Sequence, residues 1–393
     1  MNCRERENET LSFGKNLDRG SVEETFTPWD LTISRWLKEE LPSRLIEGIV
    51  ERIVEGWSDN VDTYLNTITT NGVYNYEQYF GFDGVKRVTF WYPMKNYKKV
   101  VIEENDIFKI CQDDRGYIMK IYKGKDISEE IKPLVTCEED WEKVKDRARK
   151  EMEEFYTDEN IERSFGRFKV EHERGDYSVR LNVPGFFWTQ RDMFGIEGHL
   201  YSFYDYPEVL HSISEFLLEI YLDKLIKVVD VLQSDVIYLM EDLSGANGPM
   251  LSKVHFDEFV GSYYKRLIPI LKEHGVKHIF VDTDGDFTEL IPNFLESGVE
   301  GFLPLDVNAG VDIVELRKKF PKVKLIGGFN KLSIAAGREE IDKEFERLRP
   351  VIRQGGYIPG TDHQVAPSTS LEDYKYYVER LKEEMKQAGR DIK

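Results

Sequence analysis

From about residue 177 onward, short apolar runs alternate with longer amphipathic stretches. The runs YSVRLNV (177–183), VIYLM (236–240), HIFVD (278–282), GFLPLDV (301–307), KLIGGF (324–329) and GYIP (356–359) predict strands. Between them, YPEVLHSISEFLLEIYLDKLIKVVDVL, FDEFVGSYYKRLIPILKEHG, FTELIPNFLESG and IVELRKKF predict helices with one apolar face. Such alternation implies parallel strands joined by right-handed crossovers. The first third is mixed. Residues 28–57 predict helix, with Trp29, Ile33, Trp36 and Leu37 at helical spacing and Leu41-Pro42 ending the first piece. The runs VKRVTFWY, KKVVIEE, IFKICQ and YIMKIYK predict a β-rich excursion over about 76–130, and a charged helix beginning near 139 leads back to the main body.

Six clear strands, with one or two more in the early region, predict a (β/α)8 barrel. It would form a single domain over 1–393, with an N-terminal helical and β-rich extension. A doubly wound open sheet is the alternative, but no strand is followed by GxGxxG or GxxxxGK[ST].

Composition narrows the function. The formal charge of -19 argues against nucleic acid and anionic membranes, both of which need a basic surface. No apolar run reaches the roughly 18 residues of a membrane-spanning helix, and the polar start MNCRERENET lacks a signal-peptide pattern. The three cysteines, Cys3, Cys111 and Cys137, show no CxxC spacing, which fits a reducing cytoplasm.

In a barrel, residues just after each strand share one mouth. Read in order they are Trp188 and Arg191, Glu241-Asp242, Asp282 and Asp284, Asp306 and Asn308, Asn330 and Lys331, and Asp362-His363. A ring of carboxylates with a histidine and a lysine points to acid–base or metal chemistry. Each also has a structural reading. Glu241 and Asp242 can serve as strand-end caps, Trp188 as core, and Lys331 as an ion-pair partner. Asp282 and Asp284, two apart on extended backbone, fall on the same side. Asp286 precedes a helix and reads as its cap. His278 starts its strand at the far rim, where stability is the default role.

The segments MEDLSGANGPMLS, HIFVDTDGDFTELIPNFLESGVEGFLPLD, KLIGGFNK and GGYIPGTDHQVAPSTSLEDYKYYVERL resemble the uroporphyrinogen decarboxylase superfamily, which includes corrinoid- and coenzyme-M-dependent methyltransferases. The resemblance runs from about 176 to 385, and more weakly through RERENETLSFGKNLDRGSVEE. It implies a (β/α)8 barrel enzyme. Zinc methyltransferases of this group carry a His-x-Cys pair and a later cysteine; Asp282, Asp284 and His363 stand there instead. The resemblance thus implies a divalent metal, zinc foremost, on Asp282, Asp284 and His363, with thiolate ligation excluded. True decarboxylases keep a histidine where His363 stands, but their arginine-rich N-terminal segment is replaced by ETFTPWDLTISRWLKEE, whose one arginine is Arg35. The implied activity is methyl transfer from a small methoxylated or methylamine-like compound to a corrinoid protein. Asp282, His363 and Glu241 would be catalytic, and Trp188, Arg191 and Lys331 would bind substrate. A decarboxylase and a non-catalytic corrinoid- or porphyrin-binding barrel are the alternatives.

Overall fold

The computed structural model describes residues 1–42, 78–90, 97–113, 116–123 and 128–390. Its strands in chain order are β1 Val85–Thr89, β2 Val100–Glu104, β3 Phe108–Gln112, β4 Ile118–Tyr122, β5 Ser128–Lys132, β6 Ser178–Pro184 and β7 Val236–Met240. There follow the short pair β8 Ser244–Gly245 and β9 Gly248–Pro249, then β10 His278–Thr283, β11 Gly301–Pro304, β12 Lys324–Ile326 and β13 Tyr357–Ile358.

Seven of these form one parallel sheet in the order β1-β6-β7-β10-β11-β12-β13. The order follows the chain, as right-handed crossovers of one hand require when a sheet curls in one direction. Alternation sorts the side chains to two faces. Val179, Leu181, Ile237, Leu239, Ile279 and Val281 join the large core between sheet and helices. Val236, Tyr238, Phe280, Leu303, Ile326 and Ile358 instead cluster with one another on the concave side. Leu11 of helix α1 (Cys3–Leu11) closes that cluster at the strands' N-terminal end.

The two edge strands are linked by the segment around Val22–Thr25. Arg87 on β1 donates through Nη2 to the carbonyls of Glu24 (2.9 Å) and Thr25 (3.0 Å). Glu24 Oε1 accepts from the backbone N–H and hydroxyl of Thr361, just past β13, at 2.7 and 2.8 Å. Tyr374 donates to its other oxygen at 2.9 Å. Side-chain bonds to a buried carboxylate thus do the joining, where a ladder would need one more strand.

The helices form where the pattern placed them. Helix α2 (Asp30–Lys38) buries Ile33 and Trp36, and Trp36 Nε1 donates to Thr369 O at 3.0 Å. The expected helix over 43–57 lies outside the described residues. The helix Leu371–Met385 begins on Ser370, whose side chain accepts from Asp373 N, and buries Tyr374, Tyr377, Val378, Leu381 and Met385 at helical spacing. No helix among the described residues is long and apolar enough to cross a membrane.

The excursion differs from expectation at its start. VKRVT pairs in parallel with β6 and is the first strand of the main sheet. The separate sheet is the antiparallel β2–β5, largely solvent-facing. It docks beside the helix Phe186–Phe194: Tyr117 donates to Asp192 O, and Val135 N donates to Met193 O at 2.9 Å.

Candidate active site

The concave face of the sheet carries polar side chains on its first strands. On β6, Ser178, Arg180 and Asn182 share the parity that faces inward, and Arg87 on β1 pairs in register with Arg180. Arg180 is fully buried, and its Nε donates to Glu7 Oε1 at 2.6 Å. Its Nη2 bonds Glu23, and Ser178 donates to the other oxygen of Glu7. Burial works against the charge on Arg180, but Glu23 and Glu7 beside it hold its pKa above the ordinary range. Burial pushes Glu23 up to about 7. Burial likewise raises the Tyr238 hydroxyl, so it stays a hydrogen-bond donor at neutral pH.

Above these residues, at the strands' C-terminal ends, opens a cavity of about 460 Å³. Arg87, Asn182 and Tyr238 lie on its inner wall, and Trp188, Met240, Asp242, Asp282, Asp284, Phe26 and His363 nearer its rim. Asp282 pairs with Met240 in the sheet, one inward position beyond the Phe280–Tyr238 pair. Asp284 follows two residues later, and the chain then turns at Gly285. There φ is +74°, and a Cβ would stand 2.7 Å from the carbonyl oxygens of Ser244 and Gly245. Glycine is required on both counts.

His363 reaches the rim from the loop after β13. Its Nε2 is 3.6 Å from Asp284 Oδ2, and its ring packs against Phe26 (centroids 5.4 Å apart) and, in a stacked arrangement, Trp29 (6.1 Å). The preceding residue, Asp362, is buried and ties three loops together. Its oxygens accept from Asn308 Nδ2 at 2.8 Å and from the backbone N–H of Lys331 at 2.9 Å. The backbone presenting His363 is thereby fixed.

Other expected site residues take supporting positions. Arg191 donates to Asp242 twice, to its carbonyl at 2.6 Å and its carboxylate at 2.8 Å, and its guanidinium lies 4.6 Å from the Trp188 ring centroid. It braces two wall residues and is not itself on the wall. Lys331 is also off the wall, with Nζ 3.6 Å from Asp362.

Glu241 does not face the mouth. It is fully buried beneath the helix Phe186–Phe194, accepting from Phe186 N (3.1 Å), Trp188 N (2.9 Å) and the Tyr264 hydroxyl. Burial lifts its pKa to about 7 against the pull of these donors. A carboxylate at a helix N-terminus satisfies orphan amides, and that is the use made of it here. His278 sits at the opposite end of the sheet, as its place at the start of a strand suggests. It bonds Asn8 and Lys324, and burial lowers its pKa to about 3.

The three expected metal ligands share the cavity, but no group of three or more His, Cys, Asp or Glu among the described residues is gathered closely enough to hold a cation. As arranged, His363 Nε2 lies 3.6 Å from Asp284 Oδ2. As placed, these side chains do not fit a three-ligand cation site.

Arg87, Arg180, Asn182 and Tyr238 were not singled out from the sequence. The available signal was parity, because alternate positions of SVRLNV are polar in a strand otherwise read as apolar.

A family model described as uroporphyrinogen decarboxylase (URO-D) matches residues 191–384. Among solved structures, the chain is similar to a methyltransferase from Methanosarcina mazei. The TM-score is 0.55 at 12% identity, over 97% of each chain. A structure described as a vitamin-B12-independent methionine synthase from Listeria monocytogenes follows with a TM-score of 0.38 at 13% identity, covering 93% of this chain and 97% of that one. No curated protein matches the sequence.

Proposed function

With a uroporphyrinogen decarboxylase-like chain as the starting point, we propose that this protein is a methyltransferase built on a (β/α)8 barrel. The segment around Val22–Thr25 would take the place of an eighth strand. The observation carrying the reading is the His363–Asp284 pair at the rim of a cavity at the strand ends, flanked by Asp282 and by the Phe26, Trp29 and Trp188 rings. The methyl donor would be a small methoxylated or methylamine-like compound, and the acceptor a corrinoid carried by a separate protein.

A bound corrinoid would supply the nucleophile that takes the methyl group. The methyl carbon's bond to oxygen or nitrogen breaks, both electrons staying on the heteroatom. That atom then needs a proton if it leaves as an alkoxide or phenoxide. His363, with Nε2 3.6 Å from Asp284 Oδ2, is placed to give the proton when its imidazole is protonated. Asp282 orients the donor, and Trp188, fixed by Arg191, forms the flat wall against which it lies. The acidic rim would also favour a partner with a basic docking face, and that association should weaken as salt rises.

One observation favours a second reading. Arg87 on the inner wall would hold a carboxylate, so a carboxy-lyase acting on a small acid is the competing chemistry. The cavity, at about 460 Å³, lies toward the lower end of the roughly 300–1,000 Å³ of ligand sites, which suits a small acid. Incubation with cob(I)alamin and a panel of methoxylated and N-methylated compounds separates the two. Methyl transfer gives methylcob(III)alamin, whereas decarboxylation releases carbon dioxide without any corrinoid.

A further inference from the structure

The cavity is polar at both ends, with opposite signs. At its inner end lie Arg87, Asn182 and Tyr238, with Arg180 beneath them. Tyr238 is 3% exposed, and its hydroxyl has no hydrogen-bond partner among the described residues. The same holds for Arg180 Nη1, Arg87 Nε and Asn182 Oδ1. Buried polar groups are nearly always paired, so orphans on the three residues that line this cavity end, Arg87, Asn182 and Tyr238, indicate a polar ligand group. Two of these three are donors, and one belongs to the Arg87 guanidinium, the cation on this wall, which selects an anion. A carboxylate meets that description. At the outer end stand Asp242, Asp282 and Asp284 with the Trp188 ring, an arrangement that favours a cation, above all one with apolar methyl groups.

We propose that the methyl donor is a small zwitterion, an N-methylated amino acid. Its carboxylate lies inward on Arg87, Tyr238 and Asn182, and its methylated ammonium faces Asp282 and Trp188 at the rim. This deepens the methyltransferase reading and rests on it for the word donor; the binding itself does not. The polarity also places the methyl groups toward the open end, where a macromolecular acceptor can reach them. With a quaternary nitrogen the amine leaves neutral and needs no proton. His363 is then needed only for donors whose leaving atom must be protonated.

The test is calorimetric titration of the full chain, without corrinoid, using four probes. They are trimethylglycine, N,N-dimethylglycine, choline (no carboxylate) and 3,3-dimethylbutyrate (the uncharged-carbon counterpart of trimethylglycine). The first two should bind at least about ten-fold more tightly than the last two, the change that one lost charge-assisted contact produces. Arg87 also braces Glu24 and Thr25, so its removal endangers the fold. Tyr238→Phe removes only the unpaired hydroxyl and should weaken trimethylglycine roughly ten-fold at unchanged melting temperature. Choline binding as tightly as trimethylglycine, or Tyr238→Phe binding it as wild type does, would overturn the inward carboxylate. Equal binding of 3,3-dimethylbutyrate would overturn the cation-binding role of the acidic rim. Zwitterion binding without methyl transfer would leave this inference standing and remove the methyltransferase reading. Methyl transfer from methoxylated aromatics with no zwitterion binding would do the reverse.

Discussion

Glu241 and Asp242 are consecutive residues at the end of one strand, and they serve opposite sides of it. Asp242 lies on the cavity wall, where Arg191 holds its carboxylate at 2.8 Å. Glu241 is buried behind the sheet on the amides of Phe186 and Trp188. Both follow the last strand residue, Met240, and the division is made by the turn: Asp242 has a left-handed φ of +41° and is held there by Arg191.

The buried position gives Glu241 a pH-dependent effect on stability. Its pKa rises from 4.5 to about 7 on folding, because burial penalises the charged form. A carboxyl shifted upward stabilises the fold fully below pH 4.5, and that contribution fades as pH climbs through 7. The shift corresponds to about 3 kcal/mol. Urea titrations from pH 4.5 to 8 should show wild-type stability falling by that order relative to Glu241→Gln, whatever the offset between the two proteins. Parallel profiles would mean that Glu241 is not protonated on folding.

Gly185 faces the same carboxylate. A Cβ there would lie 2.1 Å from Glu241 Cδ, with both oxygens within 2.5 Å, and the surrounding amides leave the carboxylate little room to retreat. Gly185→Ala should cost about 1–3 kcal/mol, the usual penalty of overpacking, read as a lower urea midpoint at unchanged slope. The double variant Gly185→Ala/Glu241→Ala should recover part of the loss relative to Glu241→Ala alone. No recovery would place the strain elsewhere.

The parallel sheet was legible because its strands are short apolar runs bounded by amphipathic helices, and β6, β7, β10, β11, β12 and β13 fall where those runs fall. VKRVT was assigned to the excursion because polar turns and further β-rich runs follow it directly. Only pairing with β6 identifies it as part of the main sheet. The site was legible wherever parity decides. Counting by twos from Tyr238 gives Met240 on the wall, and from Phe280 gives Asp282; Asp242 and Asp284 lie past the strand ends and reach the wall through the turns that follow. The same count sends Glu241 outward, and reading strand ends as one undivided rim hid this. The partners of Arg191 and Lys331 were not legible. Asp242 and Asp362 reach them through loop geometry that no periodicity encodes.

Chelation tests the proton-transfer chemistry against a metal alternative. With Asp282, Asp284 and His363 not gathered as three ligands, EDTA should leave the melting temperature and any methyl transfer unchanged. Loss on EDTA treatment, restored by zinc and abolished in His363→Ala, would show that the three side chains converge on a cation.

The most direct measurement is the rate at which methylcob(III)alamin forms from cob(I)alamin and a methoxylated aromatic donor. It should be followed by absorbance for wild type, His363→Gln and Asp284→Asn, each first checked for an unchanged melting temperature. Removing a positioned proton donor typically costs about 100-fold or more. The expected result is transfer by wild type, a loss of that order in His363→Gln, and a smaller loss in Asp284→Asn, which keeps the ring and removes only the charge beside it. No methylcob(III)alamin from any donor with folded wild-type protein, or equal rates in all three, would contradict a methyltransferase centred on His363.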